Sequence, residues 1–262
     1  MKSLDGLSIL VTGGGSGLGL GAARYFIAAG AKVTLCGRRK EKMEAAAAEL
    51  GASCLGVVAD ITIGADRERL IDAAVAHGGG LDALINNAGN MYRGAVTELE
   101  QDKLLDIFNT NVVAGMMLTG LAVPHLEQRM GAILFIGSVH TKRAFPGASP
   151  YAATKAAVQC LTRVLAAELG ERNIRVNCIS PGAVFTEINQ RAGLFDDDTA
   201  LQRLQGMAPL HALGRIGTAE EIAEAMAYLI CAQWTTGAII DVDGGLGLGL
   251  TSDNANQPKK EN

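Results

Sequence analysis

The chain is poor in rings. It holds 1 Trp, 4 Tyr and 6 Phe among 262 residues, 4% in all. It also lacks any long run of Lys or Arg, and its formal net charge is −4. Nucleic acids and anionic membrane surfaces call for a basic footprint, so neither is an expected partner. The 5 cysteines (Cys36, Cys54, Cys160, Cys178, Cys231) are far apart and none forms CxxC. An odd count at wide spacing argues against a disulfide framework or a zinc site. Buried thiols in a reducing compartment are the expectation. The 4 histidines show no metal spacing such as HExxH, so no metal is expected. The longest apolar stretch, Val112 to Pro124, is short for a bilayer and is interrupted by Gly and Thr. The start of the chain reaches Asp5-Gly6 almost at once, which argues against a signal peptide. These absences predict a cytoplasmic protein. Charged residues make up only 19% and apolar residues 48%, which excludes a disordered chain.

What is abundant is glycine, 33 residues, with no G-X-Y period and hence no collagen helix. Short β-branched runs alternate with Ala-rich helical segments. Strands are expected at Ser8–Thr12, Lys32–Cys36, Ser53–Ala59, Leu81–Asn86, Ala132–Gly137, Arg175–Ser180 and Ala238–Val242. Helices are expected at Leu18–Ala29, Lys40–Leu50, Ala65–His77, Tyr151–Gly170 and Ala219–Cys231, with a long helical stretch from Gln101 to Arg129. Gly30 and Gly51 read as helix stops. Each crossover consumes a helix, so seven such strands predict one doubly wound parallel α/β sheet with helices on both faces. The expected organisation is a single Rossmann-like domain over 1–250 and a flexible tail over 251–262. Val184–Arg215 reads as an irregular, mobile lid.

Three groups of residues carry chemistry. Thr12-Gly13-Gly14-Gly15-Ser16-Gly17-Leu18-Gly19 lies between the first strand and the first helix. Glycines there admit positive φ and a close pyrophosphate, and the helix start offers unpaired N–H groups. No Lys-Ser/Thr follows, so this is not a nucleotide-hydrolysing P-loop. The second strand ends in Gly37-Arg38-Arg39, where dinucleotide folds often place an acid on the ribose 2′-OH. Two guanidinium groups suit a 2′-phosphate instead, which favours NADP(H) over NAD(H). Finally come Asn86-Asn87-Ala88-Gly89, Ser138, then Tyr151 and Lys155 at i, i+4 on one helix face, and Pro181-Gly182.

In this order, with each piece at a strand end, the sequence resembles the short-chain dehydrogenase/reductase family, from Gly6 to about Gly245. The resemblance implies a hydride-transferring oxidoreductase acting on a small carbonyl or secondary alcohol. It implies Tyr151 as general acid/base and Lys155 beside it, lowering the tyrosine pKa and holding the nicotinamide ribose. It implies Ser138 on the substrate oxygen and Asn111 holding a water behind the lysine. Cofactor contacts carried over by position are Gly13, Gly15, Ser16, Gly17, Leu18 and Gly19, with Arg38 and Arg39 at the second strand. Asp60 and Ile61, Asn87, Ala88 and Gly89, and Pro181, Gly182, Val184 and Thr186 complete the set. A homotetramer is the family expectation, with Val112, Met116, Met117 and Leu121 as a face for a partner copy. Two departures stand out. Ser16 occupies a position where many NADP-preferring relatives carry a basic residue, and the Leu229–Gly237 connection is short.

Hydride transfer needs the substrate carbon within about 3.5 Å of the nicotinamide, so the pocket must lie above Ser138 and Tyr151. Met91, His140, Phe145, Leu194, Phe195 and Met207 are the side chains expected to reach it. His140 reads mainly as a pocket-edge residue without a chemical role. Three alternatives remain: an NAD-dependent alcohol dehydrogenase, a nucleotide-sensing protein without catalysis, and a reductase of a C=C bond on a thioester.

Overall fold

The computed structural model describes residues 3–186 and 197–249. The elements are β1 Ser8–Thr12, α1 Gly17–Ala28, β2 Lys32–Gly37, α2 Lys40–Leu50, β3 Cys54–Val58, α3 Gly64–Gly78 and β4 Ala83–Asn86. They continue as α4 Gln101–Phe108, a π turn Asn109–Val113, α5 Ala114–Glu127, β5 Ala132–Ile136, α6 Ser149–Leu169 and β6 Arg175–Pro181. The last are α7 Asp197–Gly206, α8 Ala219–Cys231 and β7 Ile239–Val242. All seven strands form one sheet in the order β3-β2-β1-β4-β5-β6-β7. Every pairing is parallel, with Ser8 opposite Lys32 and Ile9 opposite Ala83. The expected doubly wound fold is the one observed.

The strands are short apolar runs because both faces of the sheet are covered. Alternation along β1 sends Ile9 and Val11 to one side and Leu10 to the other. Ile9 and Val11 join Phe26 of α1, Met43 of α2 and Met226 of α8. Leu10 joins Leu70 of α3, Leu118 of α5 and Val158 of α6. Four cysteines are buried in this framework, but Cys160 on α6 is exposed, against expectation.

Other differences have local causes. The segment 184–215 is not irregular throughout: α7 and a short 3₁₀ turn, Ala208–Leu210, lie within it. The polar stretch of α7 hid its helix from an apolar-period reading. The stretch Gln101 to Arg129 is broken by the π turn, which holds Asn111 in the interior. This insertion advances the helical phase, so Val112 packs on the core and Val113 is exposed. The outward apolar stripe is therefore Val113, Met116, Met117 and Leu121. Residues 101–127 are long and apolar enough to cross a bilayer, but half of the most apolar window is buried inside the molecule.

The short connection after α8 is tied down from β6. Arg175 donates to the carbonyls of Leu229 (2.6 Å), Ala232 (2.9 Å) and Ile230 (2.6 Å), the unpaired carbonyls of the last helical turn. Asn177 donates from Nδ2 to Thr235 and accepts from the Ala238 N–H. Trp234, between them, is fully exposed.

A cation on three helix-terminal carbonyls supports both the helix dipole and the connector. Arg175→Ala is expected to cost about 2 kcal/mol of unfolding free energy, read from urea titrations followed by circular dichroism. Arg175→Lys should recover less than half, because an ammonium lacks the planar fork.

Candidate active site

The strand order reverses beside β1, where the crossovers leave toward opposite faces, and the crevice there is where such sheets bind ligands. A cavity of about 270 Å³ opens at this point. It runs from Gly37, Arg38 and Asp60 at one end, past Ser16, Gly17 and Leu18, to Ser138, Tyr151 and Lys155.

The middle of the crevice rests on Thr12. Its buried hydroxyl donates to the Ile85 carbonyl (3.2 Å) and accepts from the N–H groups of Asn87 (3.0 Å) and Ala88 (2.9 Å). Asn87 returns its amide to the Thr12 carbonyl (2.8 Å). The two strand ends are so close that a Cβ on Gly13, which has φ +66°, would lie 2.9 Å from the Ala88 Cα. A Cβ on Gly19 would lie 2.5 Å from the Gly13 carbonyl oxygen. These glycines are thus required first by the protein's own backbone packing. Gly13, Ser16, Gly17 and Leu18 line the cavity, whereas Gly19 stands behind the turn and Gly15 lines an adjoining cavity. Helix α1 starts without a side-chain cap and without an acidic residue in its first turn. Its first N–H groups are open to an anion at the cavity wall, as a diphosphate requires. Thr186 sits over Gly17, within 3.1 Å of where a Cβ would be.

At the tip of β2 the two arginines part. Arg38 lines the main cavity and lies 3.8 Å from the Asp60 carboxylate. Arg39 turns to the adjoining cavity and donates to the Ser16 hydroxyl at 3.2 Å. The cation that the sequence lacks at Ser16 is therefore supplied from across the turn. Lys42 of α2 lines that same cavity, a third basic residue that spacing did not single out. The Asp60 Oδ1 accepts from the N–H and hydroxyl of Thr62, closing a local turn. Ile61, Asn87, Ala88 and Gly89 line the wall between the two ends. Cys36 also reaches the cavity, and burial pushes its thiol up to about 12, which leaves it unreactive.

At the far end, β5 delivers Ser138 and α6 delivers Tyr151 and Lys155, one helical turn apart. Ser138 also caps the 3₁₀ turn Val139–Thr141 by accepting from the His140 N–H. Lys155 is buried, donates to the Ile136 carbonyl (2.8 Å), and its Nζ is 5.5 Å from the centre of the Tyr151 ring. Burial lowers the Lys155 pKa to about 8. Tyr151 behaves contrary to the expectation of a lowered pKa. Burial raises it to about 12, and hydrogen bonding to Ser138 opposes this only in part. Desolvation is the largest cause, because Tyr151 lies inside the protein. Asn111 does not line the cavity. Its Oδ1 accepts from the Asn90 N–H (2.7 Å), and its Nδ2 donates to the Asn90 carbonyl and the Thr154 hydroxyl (both 3.0 Å). Thr154 in turn donates to the Tyr151 carbonyl (2.8 Å). The amide thus fixes the Asn90 loop and the start of α6.

Pro181, the last residue of β6, and Gly182 and Val184 after it line the cavity wall. A Cβ on Gly182 would lie 2.7 Å from the Asp243 Cα, so its smallness also serves the fold. Met91, His140, Phe145 and Met207 line the same cavity. Leu194 and Phe195 lie outside the described residues. The expectation missed Arg93, Leu204 and Leu246. Arg93 lies only four residues beyond the Asn87-Ala88-Gly89 motif, which was the available signal; Leu246 is brought in solely by tertiary packing beside Val139 and Ala183. The ring of His140 packs on Phe145 (4.4 Å) and edge-on to Tyr151 (5.1 Å), so it is part of the site's interior.

A crevice with an uncapped helix start, a paired-strand floor and a Ser–Tyr–Lys end defines a dinucleotide-binding oxidoreductase. A family model described as enoyl-(acyl carrier protein) reductase matches residues 13–247. Human dehydrogenase/reductase SDR family member 4 is 36% identical over 246 residues, covering 90% of this chain and 86% of that protein. A 3-oxoacyl-acyl-carrier-protein reductase of Chlamydia muridarum is 33% identical, covering 90% and 96%. Among solved structures, a 3-ketoacyl-(acyl-carrier-protein) reductase of Brucella melitensis complexed with NADH has a TM-score of 0.85. It shares 33% identity and covers 94% of this chain and 100% of its own. The chain belongs to the short-chain dehydrogenase/reductase family of NAD(P)-dependent enzymes.

The depressed lysine has a measurable consequence. Between about 8 and 10.5 the unfolded chain holds the proton that folded Lys155 has released. Unfolding free energy from this group therefore rises with pH across that interval and is flat below it. Urea midpoints of the wild type should climb relative to Lys155→Met from pH 8 upward. Parallel curves would show that the ammonium is not depressed.

Proposed function

We propose that the protein is an NADP(H)-dependent carbonyl reductase, or secondary-alcohol dehydrogenase in reverse, with Tyr151 as its general acid/base. The observation that carries this is the single cavity joining the arginine-bearing tip of β2 to Ser138, Tyr151 and Lys155. A bound nicotinamide supplies or accepts the hydride. The residues of the chain manage the proton and the geometry. Tyr151, held protonated at neutral pH by burial, donates its hydroxyl proton to the carbonyl oxygen during reduction. Lys155 spends one N–H on the Ile136 carbonyl and has two more for ribose hydroxyls. Ser138 donates to the same substrate oxygen as Tyr151 and polarises the carbonyl. Asn111 and Thr154 hold the start of α6, and with it the tyrosine, in register with the Asn90 loop.

Arg38 and Arg39, with Lys42 behind them, favour a 2′-phosphate at the adenosine end. NAD(H) is the second reading, since the Brucella relative was solved with NADH. Reduction of a ketone is preferred over that of a C=C bond because Ser138 and Tyr151 line the same end of one cavity, where both hydroxyls can serve one carbonyl oxygen. The outward stripe of Val113, Met116, Met117 and Leu121, beside exposed Leu105 and Val164, supports pairing of copies into a homotetramer.

Tyr151→Phe should lower kcat by about a hundredfold or more on any ketone the wild type reduces, with NADPH binding unchanged. Undiminished turnover in this variant would exclude the proton route. The double variant Arg38→Ala, Arg39→Ala should raise KM for NADPH by about tenfold or more and leave KM for NADH nearly as it was. Equal effects on the two nucleotides would overturn the phosphate assignment.

A further inference from the structure

His140 lies two residues beyond Ser138, and both ends of its amino-acid unit touch the serine. Its main-chain N–H donates to the Ser138 Oγ at 3.3 Å, and its Nδ1 lies 3.0 Å from the same oxygen. The imidazole cannot swing away easily. Phe145 stacks on it with an interplanar angle of 34°, and Tyr151 meets it edge-on at 83°. A serine hydroxyl has one proton and two lone pairs. The main-chain N–H takes one lone pair. If Nδ1 carries hydrogen it takes the second, and the serine proton has only the open cavity left. If Nδ1 is bare, it draws that proton inward and the substrate loses its donor. Ser138 and Tyr151 line the same cavity, so the side of the serine oxygen left open by His140 is the side that faces the site. Burial and the charges of Arg93 and Lys155 hold the imidazole near 4, so it carries one hydrogen over the working range.

We propose that His140 is a positioning residue: its Nδ1–H fills the Ser138 oxygen and aims the serine hydroxyl at the substrate carbonyl. This rests on the carbonyl-reductase reading and adds a residue to it. His140 touches no reacting atom itself. The reaction remains hydride to carbon and proton to oxygen, and the imidazole ends as it began.

Substitution separates this role from simple packing. The probe is the fastest ketone from a panel of ethyl acetoacetate, a steroid ketone and a 3-oxoacyl thioester, followed by NADPH absorbance. His140→Phe keeps a ring between Phe145 and Tyr151 but has no N–H. It should lower kcat about tenfold and leave KM for NADPH unchanged. His140→Asn, whose amide N–H can stand near Nδ1, should stay within about threefold of wild type, while His140→Gln should not. In a Ser138→Ala background, His140→Phe should cost nothing further. Nitrogen-15 NMR of labelled histidine should show hydrogen on Nδ1 of His140. Overturning results are an Asn variant as slow as Phe, the same tenfold loss without the Ser138 hydroxyl, or hydrogen on Nε2. A wild type that reduces no ketone with either nucleotide would sink the carbonyl-reductase reading, and the NMR result would still decide the tautomer.

Discussion

Everything at the crevice depends on one buried hydroxyl. Thr12 Oγ1 joins the carbonyl of Ile85 to the N–H groups of Asn87 and Ala88, so the ends of β1 and β4 meet at a fixed distance. Parallel strands in this sheet would otherwise splay where their ladders stop. With the tips pinned, Gly13 must lie against Ala88 and Gly19 against Gly13, leaving no room for side chains. The glycines that first read as places for phosphate are also the condition for this closure. The crevice is thus built by the fold itself, and the start of α1 faces it without a cap.

Much of this was legible in the residues. Helices α2 and α8 begin and end where their Ala-rich periods begin and end, because nothing in their surroundings competes with the local preference. Thr218 and Glu221 close a capping box at the start of α8. The central strands β1, β4 and β5 stand out because they are buried along their whole length. What escaped has its cause in space and not in sequence. The π turn at Asn111 answers to Asn90 and Thr154, which lie 21 and 43 residues away along the chain. The parting of Arg38 from Arg39 follows from their adjacent places at the strand tip. α7 is polar and short, so it shows little apolar period.

The electrostatics of the site reverse a simple neighbour argument. A lysine close to a tyrosine should favour phenolate, yet both side chains here have shifted toward their neutral forms. Burial disfavours charge on either, and desolvation is the largest cause of both shifts. A tyrosine that stays protonated suits proton donation to a carbonyl. A positive nicotinamide, the state of the cofactor when alcohol is to be oxidised, would push in the opposite direction. The protonation of Tyr151 is thereby coupled to what lies beside it.

The connector after α8 carries the chain's one tryptophan, wholly in water at the rim of the sheet. Clamped below by Arg175 and Asn177, it stands outside both nucleotide-side cavities. Its optical meaning is unusual. A hydrated indole already emits much as it would from an unfolded chain, so its fluorescence is nearly blind to the core. The same emission would shift to the blue the moment anything covered that rim. The molecule is spectroscopically silent about its interior and outspoken about its edge.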